Sequence, residues 1–584
     1  MEEVIKELIN KAALRIQSKY QFEFEENEIE VFLTGDDKLG DYTSNISFGL
    51  AKKISNSPFK IAEELILLIN SFPETNYYFQ KVEAANGFIN FFLSFKVLEQ
   101  EISEVFKSGL KYGQRKIFPR KTAVIDYSSP NIAKTFGIGH LRSTIIGQSI
   151  YNLYKYLGWK VIGDNHLGDW GTQFGKLIYQ IENELLKGKN QKEKKKILES
   201  LTIDKLESLY VDFHRLAKTN PQLEEEARKW FKKLEEKDRE AVRIWRTCVN
   251  VSLKEFNRIY KLLNVKFDVS LGESFYEDKM KKVLEELKDK KLLKESQNAL
   301  IIDFEEKLPP ALVLKSDKAT TYFLRDLATL KYRLEKWKPS LIIYEVGIDQ
   351  TLYFEQLFEA AKMLNWTNSA KLIHLGHGLI RWPWGKFSTR KGETIHLEEV
   401  LNISISKASE IIEKTETKRN LSEKEKNIIA KKIGISAIKY NILSYHYKSD
   451  IIFDWEKILN LKGNSGPYLQ YTLVRCLSVL EKAKHLKFKN SLVFNPNHLE
   501  SLICRQIAIF KPTLNLIQEK NSLNLLTDYV FKLASLYNLF YQKYPILKAE
   551  SKEEILFRLK LTQATSQILK IVLKILGLDI LTKM

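Results

Sequence analysis

The stretch KTAVIDYSSPNIAKTFGIGHLRSTIIGQSIYNLYKYLGWKVIGD, residues 121–164, decides the fold. KTAVIDYS (121–128) is a short apolar run closed by turn residues and reads as a buried strand. A glycine-bearing loop follows, then helical spacing over GHLRSTIIGQSIYNLYKYLG (139–158) and a second strand at KVIGD (160–164). Further on, LIIYEVG (341–347), TLYFEQLFEAAKML (351–364) and KLIHLG (371–376) repeat strand, helix and strand. This alternation predicts an α/β fold with a Rossmann-like, doubly wound parallel sheet.

Three units follow from reading outward, as expected for 584 residues, too many for one hydrophobic core. Residues 1–108 read as a small α+β module. It has an opening helix, a strand in IEVFL (29–33), a loop at LGDYTSN (39–45), a helix through FGLAKKI (48–54) and the alternating strand GFINFFLSF (87–95). The sheet domain spans 109–396 and is interrupted from about Gly188 to Ser270 by a helical insertion carrying the lysine run KNQKEKKK. From Leu397 to the end (397–584), prolines and glycines are few and the pattern is helical throughout, which predicts a helical bundle.

Net charge is +19 with a pI near 9.3, a field that favours polyanions and gives salt-sensitive affinity for RNA. The lysines belong to a chain rich in Lys, Ile and Asn throughout, so charge supports an RNA partner without establishing one. The longest apolar runs, such as ILKIVLKILGLDI (568–580), are broken by lysines, so no membrane span is expected. The opening MEEVIKELINKAALRI is acidic with helical spacing, unlike a signal or transit peptide. Cys248, Cys476 and Cys504 lie far apart, suit no metal site, and fit a reducing, cytoplasmic setting.

DYSSPNIAKTFGIGHLRST (126–144) has the make-up of a phosphate cradle. Pro130 predicts an extended Ser129, and Gly137 and Gly139 admit a ligand close to the backbone. The helix that follows offers unpaired N–H groups and a positive dipole end. Lys134 and His140 add donors suited to charge on a reacting α-phosphate. A strand, turn and helix with two glycines is also an ordinary structural device, so the loop alone does not decide a function.

The full string does more. SSPNIAK, GHLRSTIIG and NHLGDWGTQFGKL (165–177) resemble, in that order, the signature region of arginine–tRNA ligases of class I. LGESFYEDKM (271–280), TTYFLRD (320–326), STRKG (388–392), FDWEKIL (453–459) and GNSGPYLQY (463–471) resemble later blocks in the family's order, as GDYTSN and GFINF resemble earlier ones. The resemblance implies activation of L-arginine by ATP with Mg2+, without a tightly bound cofactor, and transfer to tRNA(Arg) by a monomer. The N-terminal module would read the tRNA elbow and the C-terminal bundle the anticodon. There Tyr468, Tyr471, Tyr537 and Phe540 are candidates to stack on bases, although aromatics at helical spacing are more often core. One departure is plain: the family's His-x-Gly-His tetrad begins here with Gly137.

Arginine's planar cation is best held by carboxylates in bidentate geometry. In the helical stretch DKATTYFLRDLATLKYRLEKW (317–337), Tyr322 and Asp326 stand at i and i+4 and share a face. The resemblance places both in the arginine side-chain pocket with Asp126, and Gln350 completing it. Ser129, Asn131, Lys134 and His140 would hold the amino acid's backbone end and the reacting centre. Otherwise, Tyr322 packs in the core and Asp326 pairs with Arg325 or a nearby lysine. GKFSTRKGETIH (385–396) resembles the mobile KMSKS loop, with Lys386 and Ser388 in place, Phe387 for methionine and Thr389 for the second lysine. Arg390 adds a cation there, and the resemblance implies that Lys134 stands in for the missing lysine. EVGIDQ (345–350) resembles a ribose-binding turn, so Gly347 and Asp349 join Gly137, Gly139, His140 and Lys386 around ATP. His374 and His377 have no third ligand nearby and are assigned to packing rather than to a metal. Two other classes fit parts of the sequence. A small-molecule nucleotidyltransferase would need neither the bundle nor the N-terminal module. A non-catalytic RNA-binding regulator would not keep Lys134, His140, Asp326 and Lys386.

Overall fold

The structure, a computed structural model, describes residues 1–116, 120–381, 397–414, 421–486 and 496–583. The N-terminal module holds an antiparallel sheet of β1 (Val31–Leu33), β2 (Tyr42–Ser44), β3 (Phe79–Ala85) and β4 (Phe88–Leu93), in the order β1-β2-β4-β3. Helices Glu2–Tyr20 and Pro58–Ser71 share its core through Ile5, Leu8, Ile61 and Leu65. LGDYTSN, expected as a loop, contains β2. Three residues are too few to show a period of two, and the strand exists because Tyr42 pairs with Phe91 of β4.

The apolar run of β5 (Thr122–Asp126) is buried at every position, as parallel strands covered on both faces must be. Beside it runs β6 (Lys160–Asp164). A three-stranded antiparallel sheet of β7 (Leu293–Ser296), β8 (Ala299–Ile302) and β9 (Ala311–Leu314) comes next in the chain. It is followed by β10 (Leu341–Tyr344) and β11 (Lys371–His374), which complete a parallel sheet in the order β11-β10-β5-β6. Successive strand residues face opposite sides. Ala123 and Ile125 therefore join one core with the helix Ile138–Tyr156. Val124 and Ile342 join another with helices Glu277–Asp289, Tyr322–Trp337 and Thr351–Met363. The chain leaves β5 toward β6 and leaves β10 toward β11, so the winding reverses between β5 and β10. Register sets Tyr344, Asp126 and Asp164 side by side at the carboxyl ends, where sheets of this kind open a ligand crevice.

Helices Gln191–Glu199, Ile203–Ala217, Gln222–Glu235 and Arg239–Leu262 fall within the expected insertion. The C-terminal region is mainly helical, with long helices such as Gly466–Lys482, Asn524–Lys543 and Lys552–Ile575. It is not helical throughout. The strand β12 (Ile380–Arg381) pairs in parallel with β13 (Ile451–Ile452), a strand too short to leave a periodic signal. The buried guanidinium of Arg142 pins this junction by donating to the carbonyls of Leu379 (3.2 Å) and Tyr447 (2.9 Å). Of the aromatic candidates for RNA, Tyr537 and Phe540 are fully buried and belong to the core, whereas Tyr471 remains 38% exposed. No helix among the described residues is long and apolar enough to cross a membrane.

The ends of the chain close on the middle. The N-terminal module meets C-terminal helices through Arg505 with Asp41, Lys532 with Asp37 (2.9 Å) and Lys511 with Glu104 (2.6 Å). The end of the last long helix lies on the helix 138–156. Asn152 donates to the carbonyl of Ile575 (3.2 Å) and Ser149 to that of Leu576 (3.3 Å).

Candidate active site

The loop between β5 and the helix Ile138–Tyr156 is strained and heavily tied. Ser128 (φ 73°), Ser129 (φ 43°) and Ala133 (φ 63°) all lie in the left-handed region, so Ser129 is not extended as its proline neighbour predicts. Tertiary hydrogen bonds override the local preference. The Ser128 N–H donates to Ser143 Oγ (2.9 Å), and its hydroxyl meets those of Thr144 (2.7 Å) and Tyr260 (2.9 Å). The Ser129 N–H donates to Asn165 Oδ1 (3.2 Å), its Oγ donates to Asp126 (2.8 Å), and the Ala133 N–H donates to Ser252 Oγ (2.9 Å). Each such residue costs on the order of 1–3 kcal/mol and persists only because its surroundings over-determine it.

Gly137 is the N-cap of the helix and supplies no side-chain cap, so first-turn N–H groups remain for a ligand. At Gly139 no atom lies within 4 Å of where a Cβ would stand. The backbone N–H of His140 donates to the Gly137 carbonyl (3.1 Å), while its imidazole rests beside Phe136 with Nδ1 buried and unpaired among the described residues. Burial lowers its pKa, so the ring is neutral at neutral pH. Lys134 is exposed, with Nζ 5.6 Å from the centre of the Tyr210 ring.

Across the crevice, the helix Tyr322–Trp337 begins later than the sequence pattern suggests, because the Thr321 side chain caps it by accepting from the Leu324 N–H. Tyr322 is 55% exposed at the crevice mouth rather than packed in the core. Asp326, one turn on, accepts from the hydroxyl of Tyr353, and burial pushes its pKa up to about 6. It does not pair with Arg325, which turns away to Glu277 (3.0 Å) and Glu273 (3.2 Å). Asp126 accepts from Ser129 and from Arg333 (2.6 Å), whose Nε also reaches Asp164 (3.0 Å).

Asn131, Lys134 and Tyr322 come together around a cavity of about 210 Å³, which Gln173 and Tyr210 complete. A larger cavity of about 1080 Å³, beside the insertion, reaches the loop only at Thr135 and Phe136. Gly347, Asp349 and Gln350 lie at the turn after β10, tied to the next loop by the Ile348 N–H donating to the His377 carbonyl (2.8 Å). Asp349 and Gln350 are exposed there. His374 stacks on Phe354 at 4.6 Å and His377 Nδ1 lies 3.0 Å from Glu345 Oε1. Lys386, Ser388 and Arg390 lie outside the described residues.

Sequence reasoning missed Arg333, His166, Tyr353 and Tyr210. Arg333 had a signal, since it stands seven residues after Asp326 on the same helical face. His166 lay inside the quoted NHLGDWG block. Tyr353 and Tyr210 reach the site from helices distant in sequence and left no local mark.

Residues 1–93 match the arginyl tRNA synthetase N-terminal domain, 101–455 the catalytic domain of class I (R) tRNA synthetases, and 469–584 the DALR anticodon binding domain. The chain is 41% identical over 559 residues to the arginine–tRNA ligase of Clostridioides difficile, covering 95% of each. It is 39% identical over 562 residues to that of Fusobacterium nucleatum, again covering 95% of each. In three dimensions it is similar to the crystal structure of arginyl-tRNA synthetase from Plasmodium falciparum. That likeness has a TM-score of 0.83 and 27% identity and covers 100% of this chain and 99% of that one. With matches that follow the family's own order from end to end, the chain belongs to the class I arginyl-tRNA synthetases.

Proposed function

We propose that the family's reaction, ATP-dependent ligation of L-arginine to tRNA, runs on this chain through the crevice between β5 and β10. The observation that carries this reading is Asp326. Its carboxylate is half-buried and accepts from Tyr353, while the neighbouring cations Arg325 and Arg333 are engaged with other carboxylates. A guanidinium is the cation that fits such a site, since it is permanently charged and donates in a planar fork. Tyr322 lines the mouth, Asp126 and Gln350 flank the pocket, and Ser129, Asn131, Lys134 and His140 hold the carboxylate end of the substrate.

The arginine carboxylate attacks the α-phosphate of ATP, forming arginyl-adenylate and releasing pyrophosphate. A ribose hydroxyl at the tRNA terminus then attacks the carbonyl, and AMP leaves. ATP arrives as its magnesium complex, held through phosphates and water. Its phosphates lie at the helix start marked by Gly137 and Gly139, with Lys134 and His140 as donors. Its sugar lies at Gly347 and Asp349, and Lys386, Ser388 and Arg390 close over the departing pyrophosphate. Backbone N–H groups at the helix start take over the work of the imidazole that Gly137 lacks. The module 1–108 and the region 397–584 engage tRNA on either side of the catalytic domain 109–396, in a monomeric cytoplasmic enzyme.

The test is aminoacylation of total tRNA with each amino acid in turn. Arginine alone should be charged, and charging of another amino acid in its place would overturn the reading.

A further inference from the structure

His166 sits at the carboxyl end of β6 with both imidazole nitrogens shielded from solvent and unpaired among the described residues. Buried polar atoms almost always have partners, so two orphans on one ring call for a cause. The backbone around it is fixed. The Asn165 N–H donates to the Val269 carbonyl (3.0 Å), the Gly168 N–H to that of Pro130 (3.2 Å), and the Glu273 N–H to that of Leu167 (3.0 Å). The ring rests 5.5 Å from that of Tyr276, and Nε2 stands 3.9 Å from Asp326 Oδ1, too far for a direct hydrogen bond. The other Asp326 oxygen accepts from Tyr353. Two potential acceptors therefore stand 3.9 Å apart, one charged and one neutral, with no hydrogen bond to the imidazole among the described residues.

We propose that His166 is a specificity residue of the arginine pocket, its neutral imidazole accepting one N–H of the substrate's guanidinium while Asp326 accepts another. This rests on the reading of Asp326 as the guanidinium's carboxylate. Adjacent guanidinium nitrogens can donate to both acceptors at once, whereas an ammonium presents a point charge without the fork. Burial lowers the His166 pKa to about 4, and an arriving cation lowers it further, so the ring stays an acceptor at neutral pH. A carboxylate in its place would add a like charge beside Asp326 and favour protonation of one of the two.

The experiment compares His166→Phe, His166→Gln and Asp326→Asn in steady-state aminoacylation and thermal unfolding. His166→Phe should raise the KM for arginine roughly tenfold, with little change in kcat or in the KM for ATP, because a ground-state contact is lost. Its unfolding midpoint should not fall, since apolar atoms replace unpaired polar ones. His166→Gln, which keeps an acceptor, should lie nearer the parent. If His166→Phe does not fold, His166→Leu is read the same way. An arginine KM within twofold of the parent in the folded His166 variant, with Asp326→Asn impaired, overturns the proposal alone. An unchanged KM in Asp326→Asn overturns the pocket reading itself. A lowered midpoint with equal losses for arginine, ATP and tRNA shows a structural histidine and also overturns the proposal.

Discussion

Arg333 donates through Nη2 to Asp126 Oδ2 at 2.6 Å, with both side chains shut away from solvent. The crevice thus contains a guanidinium of its own, and it occupies a carboxylate that the family resemblance assigns to substrate. Asp164 shares the same cation, and burial together with the Asp126 charge raises its pKa. Asp326, which accepts from Tyr353, has no ion pair with Arg333.

Arg333→Met should leave two buried carboxylates without their cation. Breaking a buried pair in this way destabilises by about 3–5 kcal/mol. Urea unfolding measures the loss, and a shift below about 1 kcal/mol would show that the pair is not holding the strand ends together.

Asp326 sets a pH dependence. Burial raises its pKa from 3.8 to about 6, and the guanidinium requires the ionised form. The kcat/KM for arginine should therefore fall as pH drops through about 6, and the Asp326→Asn variant should lack that limb. Stability runs the other way. Between its unfolded and folded pKa values the group binds its proton more tightly in the folded state. Its contribution therefore rises as pH falls from about 6 toward 4 and is lost as pH rises again. Unfolding midpoints of the parent and Asp326→Asn, compared across that window, check the sign.

Lys134→Ala and His140→Ala should each lower kcat by roughly 10²-fold while tRNA affinity changes little. Both act on charge that develops in the transition state, where a lost donor has an effect of that order. Either variant turning over normally but binding tRNA poorly would remove its residue from the phosphate cradle.

Arginine-dependent exchange of pyrophosphate into ATP should be slow without tRNA and appear when cognate tRNA is added. The end of the last helix lies on the helix 138–156 through Asn152 and Ser149, and Lys439 donates to the carbonyls of Gly577 (2.8 Å) and Leu263. A tRNA that binds one arrangement of this seam better than another shifts the population toward it. Rapid exchange with arginine and no RNA would refute the coupling.

The parallel sheet was legible in the sequence, because the buried strands β5 and β10 carry apolar runs and the helix Thr351–Met363 a 3.6 period, both local properties. Tyr322 and Asp326 are candidates because they share a helix face, and Lys134 and His140 because they lie in one continuous string. Tertiary structure alone decided the rest. The strands β2 and β13 exist through partners far along the chain and are too short to show a period. Ser129 takes a left-handed backbone against its proline neighbour because Asn165 and Asp126 hold it there. Whether a carboxylate faces a ligand or an internal cation depends on which helix packs over it. For that reason Asp126 belongs to Arg333, Arg325 leaves Asp326 for Glu273 and Glu277, and Tyr537 and Phe540 lie in the core although Tyr471 does not. These are distances between residues hundreds of positions apart or on different faces, which periodicity does not encode.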